Sequence, residues 1–291
     1  MVVKAKQKKG VEIIKGDGQR EVFSKKKLLR SLRRSGASPA VAERVASEVE
    51  SSLHDGMQTR DIYRRAFQLL RKKDTLLPVA HKYNLRKAIM ELGPDGFAFE
   101  KFVGEIFKAL GFKVRVGVMI DGWCIDHEVD VSAKKDGVHN LIECKFHNTT
   151  GYKTDLKVAL YVRERFQDIE KKNEHDTPEK TREHEGWLVT NTKLTTKAIR
   201  YSECVGTHVI GWGYPKKGQD NLEDLIERSG IYPVTILTSL SKQQKKILMQ
   251  DGVITCRQIY KNRQPLLAAG INENKIALII KEIEILWHHL G

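Results

Sequence analysis

The chain has few cysteines, and they are badly placed for joint work: Cys124, Cys144, Cys204 and Cys256 form no CxxC pair and share no metal-ligand spacing with the ten histidines. A disulfide framework and a structural zinc site are therefore excluded, and reduced thiols are expected. No stretch approaches the roughly eighteen apolar residues that a membrane-spanning helix needs. The basic segment from Met1 to Gly10 lacks the apolar centre of a signal peptide. A soluble, cytoplasmic chain without a membrane partner is expected. There is no G-x-x-x-x-G-K-[ST], so P-loop nucleotide hydrolysis is excluded. Internal repeats and low-complexity tracts are also missing.

What is present is length and positive charge. The 291 residues suit two or three domains, and 40% hydrophobic content can fill real cores. Fifty-one Lys+Arg against 37 Asp+Glu give a net charge of +14. Such an excess points to a polyanionic partner, because each neutralised phosphate releases condensed counterions.

Three segments follow from hydropathy. Residues 11–23 alternate around Gly16-Asp17-Gly18 as a hairpin would, then helical spacing runs to a stop at Gly93-Pro94. From residue 95 to 215 the order is α/β. An apolar helical stripe (Phe99, Phe102, Val103, Ile106, Phe107, Leu110) precedes three strands at 112–118, 128–133 and 140–146. A charged helix over 156–172, a strand at 187–190, a helix at 195–205 and a strand at 208–212 complete it, with a solvated loop over 171–185. Residues 220–291 read as short helices ending in an amphipathic one, 273–290.

The central segment carries the chemistry. In Leu141-Ile142-Glu143-Cys144-Lys145-Phe146, a period of two puts Glu143 and Lys145 on one face of a strand otherwise fit for a core. Asp130, bracketed by Val129 and Val131, repeats the anomaly in the preceding strand. If the strands pair, the two carboxylates converge as hard oxygen donors for a divalent cation. Such a cation activates water against a phosphodiester, and an ammonium such as Lys145 steadies the developing charge. Glu100, on the edge of the helical stripe, can join the metal shell. An exposed Glu/Lys pair is also an ordinary cross-strand ion pair.

Order and context go further. Gly96-Phe97-Ala98-Phe99-Glu100, Ala109-Leu110-Gly111-Phe112-Lys113-Val114, His127-Glu128-Val129-Asp130-Val131 and Ile142-Glu143-Cys144-Lys145 follow one another as in Mrr-like restriction endonucleases of the PD-(D/E)XK superfamily, which residues 95–215 resemble. The resemblance implies a mixed β-sheet flanked by helices and a Mg²⁺- or Mn²⁺-dependent endonuclease acting on DNA, in restriction or repair. It implies Asp130 and Glu143 as metal ligands, with Lys145 and Glu100 as further catalytic residues. Family members often read D-G-G-I-D before the first strand acid, whereas this chain has Asp121-Gly122-Trp123-Cys124-Ile125-Asp126, so Asp126 is a second candidate. His127, His147, Tyr152, Lys153 and Asp155 are possible substrate contacts. Double-strand cutting would favour a homodimer.

Residues 11–93 resemble an ATP-cone, through Ile13-Ile14-Lys15-Gly16-Asp17-Gly18, Glu21-Val22-Phe23 leading to Lys27, Asp55 to Tyr63, and Ala80-His81-Lys82-Tyr83. The resemblance implies a mainly helical module binding ATP or dATP as an effector. Lys15 and Lys27 can meet phosphates as point charges, Thr59 stands at a helix start, and Tyr63 offers a ring or hydroxyl. A basic helical domain facing DNA is the plainer alternative. Near the C-terminus, Leu266 to Ile271 resembles the turn of a helix-hairpin-helix, which would hold a DNA phosphate on backbone N–H groups; a structural or dimer-forming cap fits equally. For the whole chain, the rival to an endonuclease is a nucleotide-responsive DNA-binding regulator whose nuclease fold has lost its chemistry.

Overall fold

The computed structural model describes residues 10–72, 74–149, 151–176, 184–216 and 219–287. The chain divides into two compact units, Met1–Arg86 and Lys87–Gly291. The boundary falls inside a helix, ahead of the Gly93-Pro94 stop from which the sequence placed it.

In the first unit the hairpin forms as expected. β1 (Glu12–Ile14) pairs antiparallel with β2 (Arg20–Val22), with Gly18 turning at φ 83°. Helices α1 (Lys25–Arg34) and α2 (Pro39–Glu50) follow, then β3 (Met57–Gln58), α3 (Thr59–Arg71) and α4 (Leu77–Met90), which crosses into the second unit. β3 adds parallel to β1, giving the order β2-β1-β3. Serine hydroxyls start both early helices: Ser24 accepts from Lys27 N–H and Ser38 from Val41 N–H, with Pro39 at the first turn of α2. The apolar stripes of α1, α2 and α3 close on one another through Leu28, Leu32, Val45, Val49, Ile62 and Leu70.

The second unit is built on α5 (Phe97–Ala109), β4 (Lys113–Ile120), β5 (His127–Lys135), β6 (Val138–Lys145), β7 (Lys153–Thr154), α6 (Leu156–Asp176), β8 (His184–Thr190), β9 (Lys193–Leu194), α7 (Thr196–Cys204) and β10 (His208–Ile210). Five strands form one mixed sheet in the order β10-β8-β6-β5-β4. β4, β5 and β6 are an antiparallel meander, and β6, β8 and β10 are parallel. A short parallel pair, β7 with β9, stands apart. The parallel half requires right-handed crossovers, and α6 and α7 supply them.

The predicted stripe of α5 lies on one sheet face. Phe99, Phe102, Val103, Ile106 and Phe107 are buried there, each large side chain contributing roughly 1.5–3 kcal/mol. Gly104 lets the helix approach, since a Cβ there would stand 2.8 Å from Val116. The other face carries α6, whose Ala159, Val162, Phe166 and Ile169 pack with Val129, Leu141 and Leu188. The loop expected over 171–185 is overturned at both ends: α6 continues to Asp176 and β8 begins at His184. Ion pairing of Lys172 with Asp176 across one helical turn supports that extension. Residues 177–183 lie outside the described residues.

The C-terminal helices are α8 (Leu222–Ser229), α9 (Lys242–Gln250), α10 (Cys256–Lys261), α11 (Gln264–Ala268) and α12 (Glu273–Trp287). Capping boxes begin α9 (Ser241 with Gln244) and α10 (Thr255 with Gln258). The buried Glu282 carboxylate accepts from the N–H and hydroxyl of both Thr238 and Ser239, fixing α12 to the chain before α9. The hairpin at Leu266–Ile271 differs from the expectation. Gly270 N–H and Ile271 N–H donate back to Leu267 and Leu266, so these donors are spent within the turn. No described helix is long and apolar enough to cross a membrane, and among the cysteines Cys144 and Cys256 are buried while Cys124 and Cys204 are exposed, all free.

Candidate functional site

The central sheet is irregular at one place. Along β4 and β5 the ladder runs through Val116↔Val131 and Val118↔Val129 but skips Gly117 and Asp130. Gly117 has φ 61°, a backbone that favours glycine. Val114 and Val116 lie beneath Gly104 of α5, whereas Val118 and Ile120 pack with the α6 cluster, so side-chain alternation reverses across Gly117. On the other side, the β5–β6 ladder ends at Val131↔Ile142. Beyond it β6 pairs only with β8, out to Lys145↔Thr190. β5 and β6 therefore fork immediately past their last pair, and the next residues on each strand are Asp130 and Glu143.

The fork has acceptors and donors to satisfy. Asp130 Oδ2 accepts the Cys144 N–H at 2.7 Å, closing the backbone group that the lost pairing frees. Asp130 and Glu143 line one pocket of about 410 Å³ together with Ile125, Asp126, His127, Glu128, Tyr161 and Arg165. Burial pushes the Asp130 carboxyl up, against the Cys144 N–H and the charge of Arg165. Burial and the charge of Asp130 push Glu143 up to about 7. Glu100, in the first turn of α5, is likewise raised to about 7 by burial and by Asp130 and Glu128. The charge of Asp130 thus bears on both glutamates, and that of Glu100 on Glu143. Among the described residues they do not form a ready-made set of three metal ligands.

Glu143 is already paired. Its Oε2 accepts from Arg165 Nη1 of α6 at 2.6 Å, with both side chains mostly buried. Arg165 Nη2 donates to the Glu128 carbonyl, and the guanidinium lies over the Tyr161 ring, 5.3 Å from its centroid. Sequence reading missed Arg165, one of two arginines on a charged helix. Lys145 is exposed, and among the described residues it makes no ion pair; it acts on Asp130 and Glu143 only through its field. The acids fit a hard divalent cation by donor type and by their surplus negative charge.

The secondary candidates take structural posts. His127 Nε2 meets Asp168 Oδ2 at 2.9 Å, and the same carboxylate accepts from Cys124 N–H and Ile125 N–H. Although burial works against it, hydrogen bonds from His127, the Cys124 thiol and these N–H groups hold the Asp168 carboxyl down at about 2. Asp126 is exposed on the pocket rim. His147 Nε2 meets Thr154 Oγ1 at 2.9 Å, and its backbone is clasped reciprocally by the Asn191 amide. Burial and Lys145 lower its pKa. Asp155 caps the first turn of α6 by accepting from Lys157 N–H and Val158 N–H, Lys153 lies in β7, and Tyr152 is exposed beside His147.

In the first unit, Lys15 and Lys27 converge, each 2.9 Å from Glu21 Oε2. Thr59 Oγ1 donates to the Ile14 carbonyl, tying α3 to β1, and Gln58 rather than Thr59 is the N-cap. Tyr63 is stacked on Tyr83, 4.8 Å between centroids, and donates to the Tyr83 carbonyl and Asn84.

A hairpin-and-helix first unit is followed by an α/β unit forked over acids, and together they define a two-part protein. Residues 11–89 match the ATP cone domain family, and residues 232–287 match the family described as AF1548-like, C-terminal. An uncharacterized protein of Archaeoglobus fulgidus is 37% identical over 173 residues, 59% of this chain and 92% of that protein. The crystal structure of the protein of unknown function AF1548 is similar with TM-score 0.53 and 32% identity, covering 67% of this chain and 100% of that one. The chain belongs to the AF1548-like family, with an ATP-cone domain at its N-terminus.

Proposed function

We propose that the second unit is a metal-dependent DNA endonuclease and that ATP or dATP on the cone regulates it. The observation that carries this reading is the meeting of Asp130 and Glu143 in one pocket where β5 and β6 part. The element order around that fork, a helix, a three-stranded meander, then parallel strands joined by helices, supports the resemblance to PD-(D/E)XK enzymes.

Asp130 and Glu143 are the residues that would hold Mg²⁺ or Mn²⁺. A cation there would polarise the phosphoryl oxygen and acidify a water. Lys145, exposed on the same strand face as Glu143, can reach a phosphate oxygen in front of the sheet. Glu100, poised at about 7, suits proton exchange with the attacking water near neutral pH. The +14 charge holds the polyanion. Restriction or repair, and a homodimer that would pair two sites for double-strand cutting, belong to the same reading.

Plasmid nicking with Mg²⁺ tests it, with and without ATP or dATP. Lys145→Ala should lower the rate by roughly 10²–10³; cleavage undiminished in that variant would remove the assignment. The closed Glu143–Arg165 pair is the observation that favours the rival, a nucleotide-responsive DNA-binding regulator. DNA binding with no cleavage under any metal and nucleotide condition would establish that rival.

A further inference from the structure

Glu143 cannot serve a divalent cation while fully committed to a guanidinium. Two positive groups on one carboxylate repel across a few ångströms, and between side chains as buried as Glu143 and Arg165 that repulsion is poorly screened. Yet Arg165 is set at 2.6 Å from Glu143, and its anchorage is not limited to that bond. A second N–H is fixed to the Glu128 carbonyl, and the Tyr161 ring lies against the guanidinium. Both anchors lie at the pocket, so the guanidinium can leave Glu143 without leaving the site. Tyr161 is largely exposed and lines the same pocket as Asp130 and Glu143.

We infer that Arg165 is an internal counter-ion for Glu143 that a divalent cation displaces, and that the released guanidinium then binds the phosphate being cleaved. The inference rests on the nuclease reading of the fork and adds a residue to it. The exchange balances in charge. Before it, Arg165 neutralises Glu143 wherever that carboxyl is ionised. After it, the dication is matched by Asp130 and Glu143, and Arg165 is matched by the phosphate. No bond other than ionic and hydrogen bonds is made or broken. Guanidinium suits the second role because its planar fork grips two phosphate oxygens at once.

The sign of one measurement separates this from a structural role. Mn²⁺ binding to the full-length chain is followed by calorimetry without DNA, comparing wild type, Arg165→Gln and Arg165→Lys, with Asp130→Asn as the control that locates the ion. Removing the competitor should tighten Mn²⁺ by roughly tenfold in Arg165→Gln. In Ca²⁺, the same variant should bind a DNA duplex roughly tenfold more weakly, with its salt dependence reduced by about one phosphate contact. Arg165→Lys should fall between in both. If Arg165→Gln folds and binds Mn²⁺ no more tightly than wild type, the inference is wrong while the metal reading stands. If neither protein binds Mn²⁺, or Asp130→Asn binds it undiminished, the metal reading falls and takes the inference with it. Should Arg165→Gln fail to fold, Arg165→Lys decides: unchanged Mn²⁺ and DNA affinities in it count against the exchange.

Discussion

Glu100 and Glu143 are ordinary carboxylic acids made unusual by where they stand. Each has a carboxyl at about 7 against an ordinary 4.5, first through burial and then through neighbouring acids. The folded chain therefore holds protons that the unfolded chain has released by pH 6. A raised carboxyl contributes stability that is whole below about pH 4.5 and lost as pH rises through about 7. The cation-free protein should accordingly melt at a lower temperature at about pH 8 than at about pH 5. Glu143→Gln, which has no proton to lose, should flatten that dependence. The check is circular dichroism at the two pH values, and equal slopes in both proteins would refute it. His127 and Asp155 show the opposite lesson, since each was a candidate for contact with substrate and each instead holds local backbone or a partner in place.

At the scale of elements, the distance between α6 and the sheet governs the site, because Arg165 must reach Glu143 from that helix. Phe166, the next residue, sets the spacing by lying against Gly186 of β8. A Cβ at Gly186 would come within 2.4 Å of the Phe166 ring. This glycine has no positive φ; it is required by close approach. Gly186→Ala should cost about 1–3 kcal/mol in urea unfolding, the usual penalty of overpacking. Adding Phe166→Leu should recover part of that loss, and strictly additive losses would show that the two do not meet. Asp168, one turn before Lys172 on the same helix, fixes the loop that rims the pocket through the N–H groups of Cys124 and Ile125. α6 is thus both wall and scaffold of the pocket.

The whole molecule joins an ATP-cone domain to an α/β unit within one chain. A nucleotide can regulate the second unit only if it binds two states of the chain unequally. Binding itself is the first step to establish. Lys15 and Lys27 meet on Glu21, which makes them the pair to test for phosphate binding. ATP at 100 times its Kd should stabilise the domain that binds it by about 2.7 kcal/mol, seen as a rise in its melting temperature in the full chain. Lys15→Ala with Lys27→Ala should abolish the rise. An undiminished rise in that double variant would move the nucleotide elsewhere.

Hydrophobic periodicity alone determined the hairpin, the α5 stripe, the alternating strands and the placing of Asp130 and Glu143 among apolar neighbours, because these signals are local and repeat every two or nearly four residues. The ATP-cone was legible by resemblance, through short motifs spread over residues 13–83. Tertiary structure alone decided that the β5–β6 ladder stops one residue short of both acids, and that Gly117 reverses the alternation beside them. It alone joined Arg165 to Glu143 across 22 residues and Asp168 to His127 across 41. Such contacts depend on how a helix docks on a sheet, and docking leaves no period in the sequence: among many charged residues on α6, only the packed fold distinguishes those that reach the sheet.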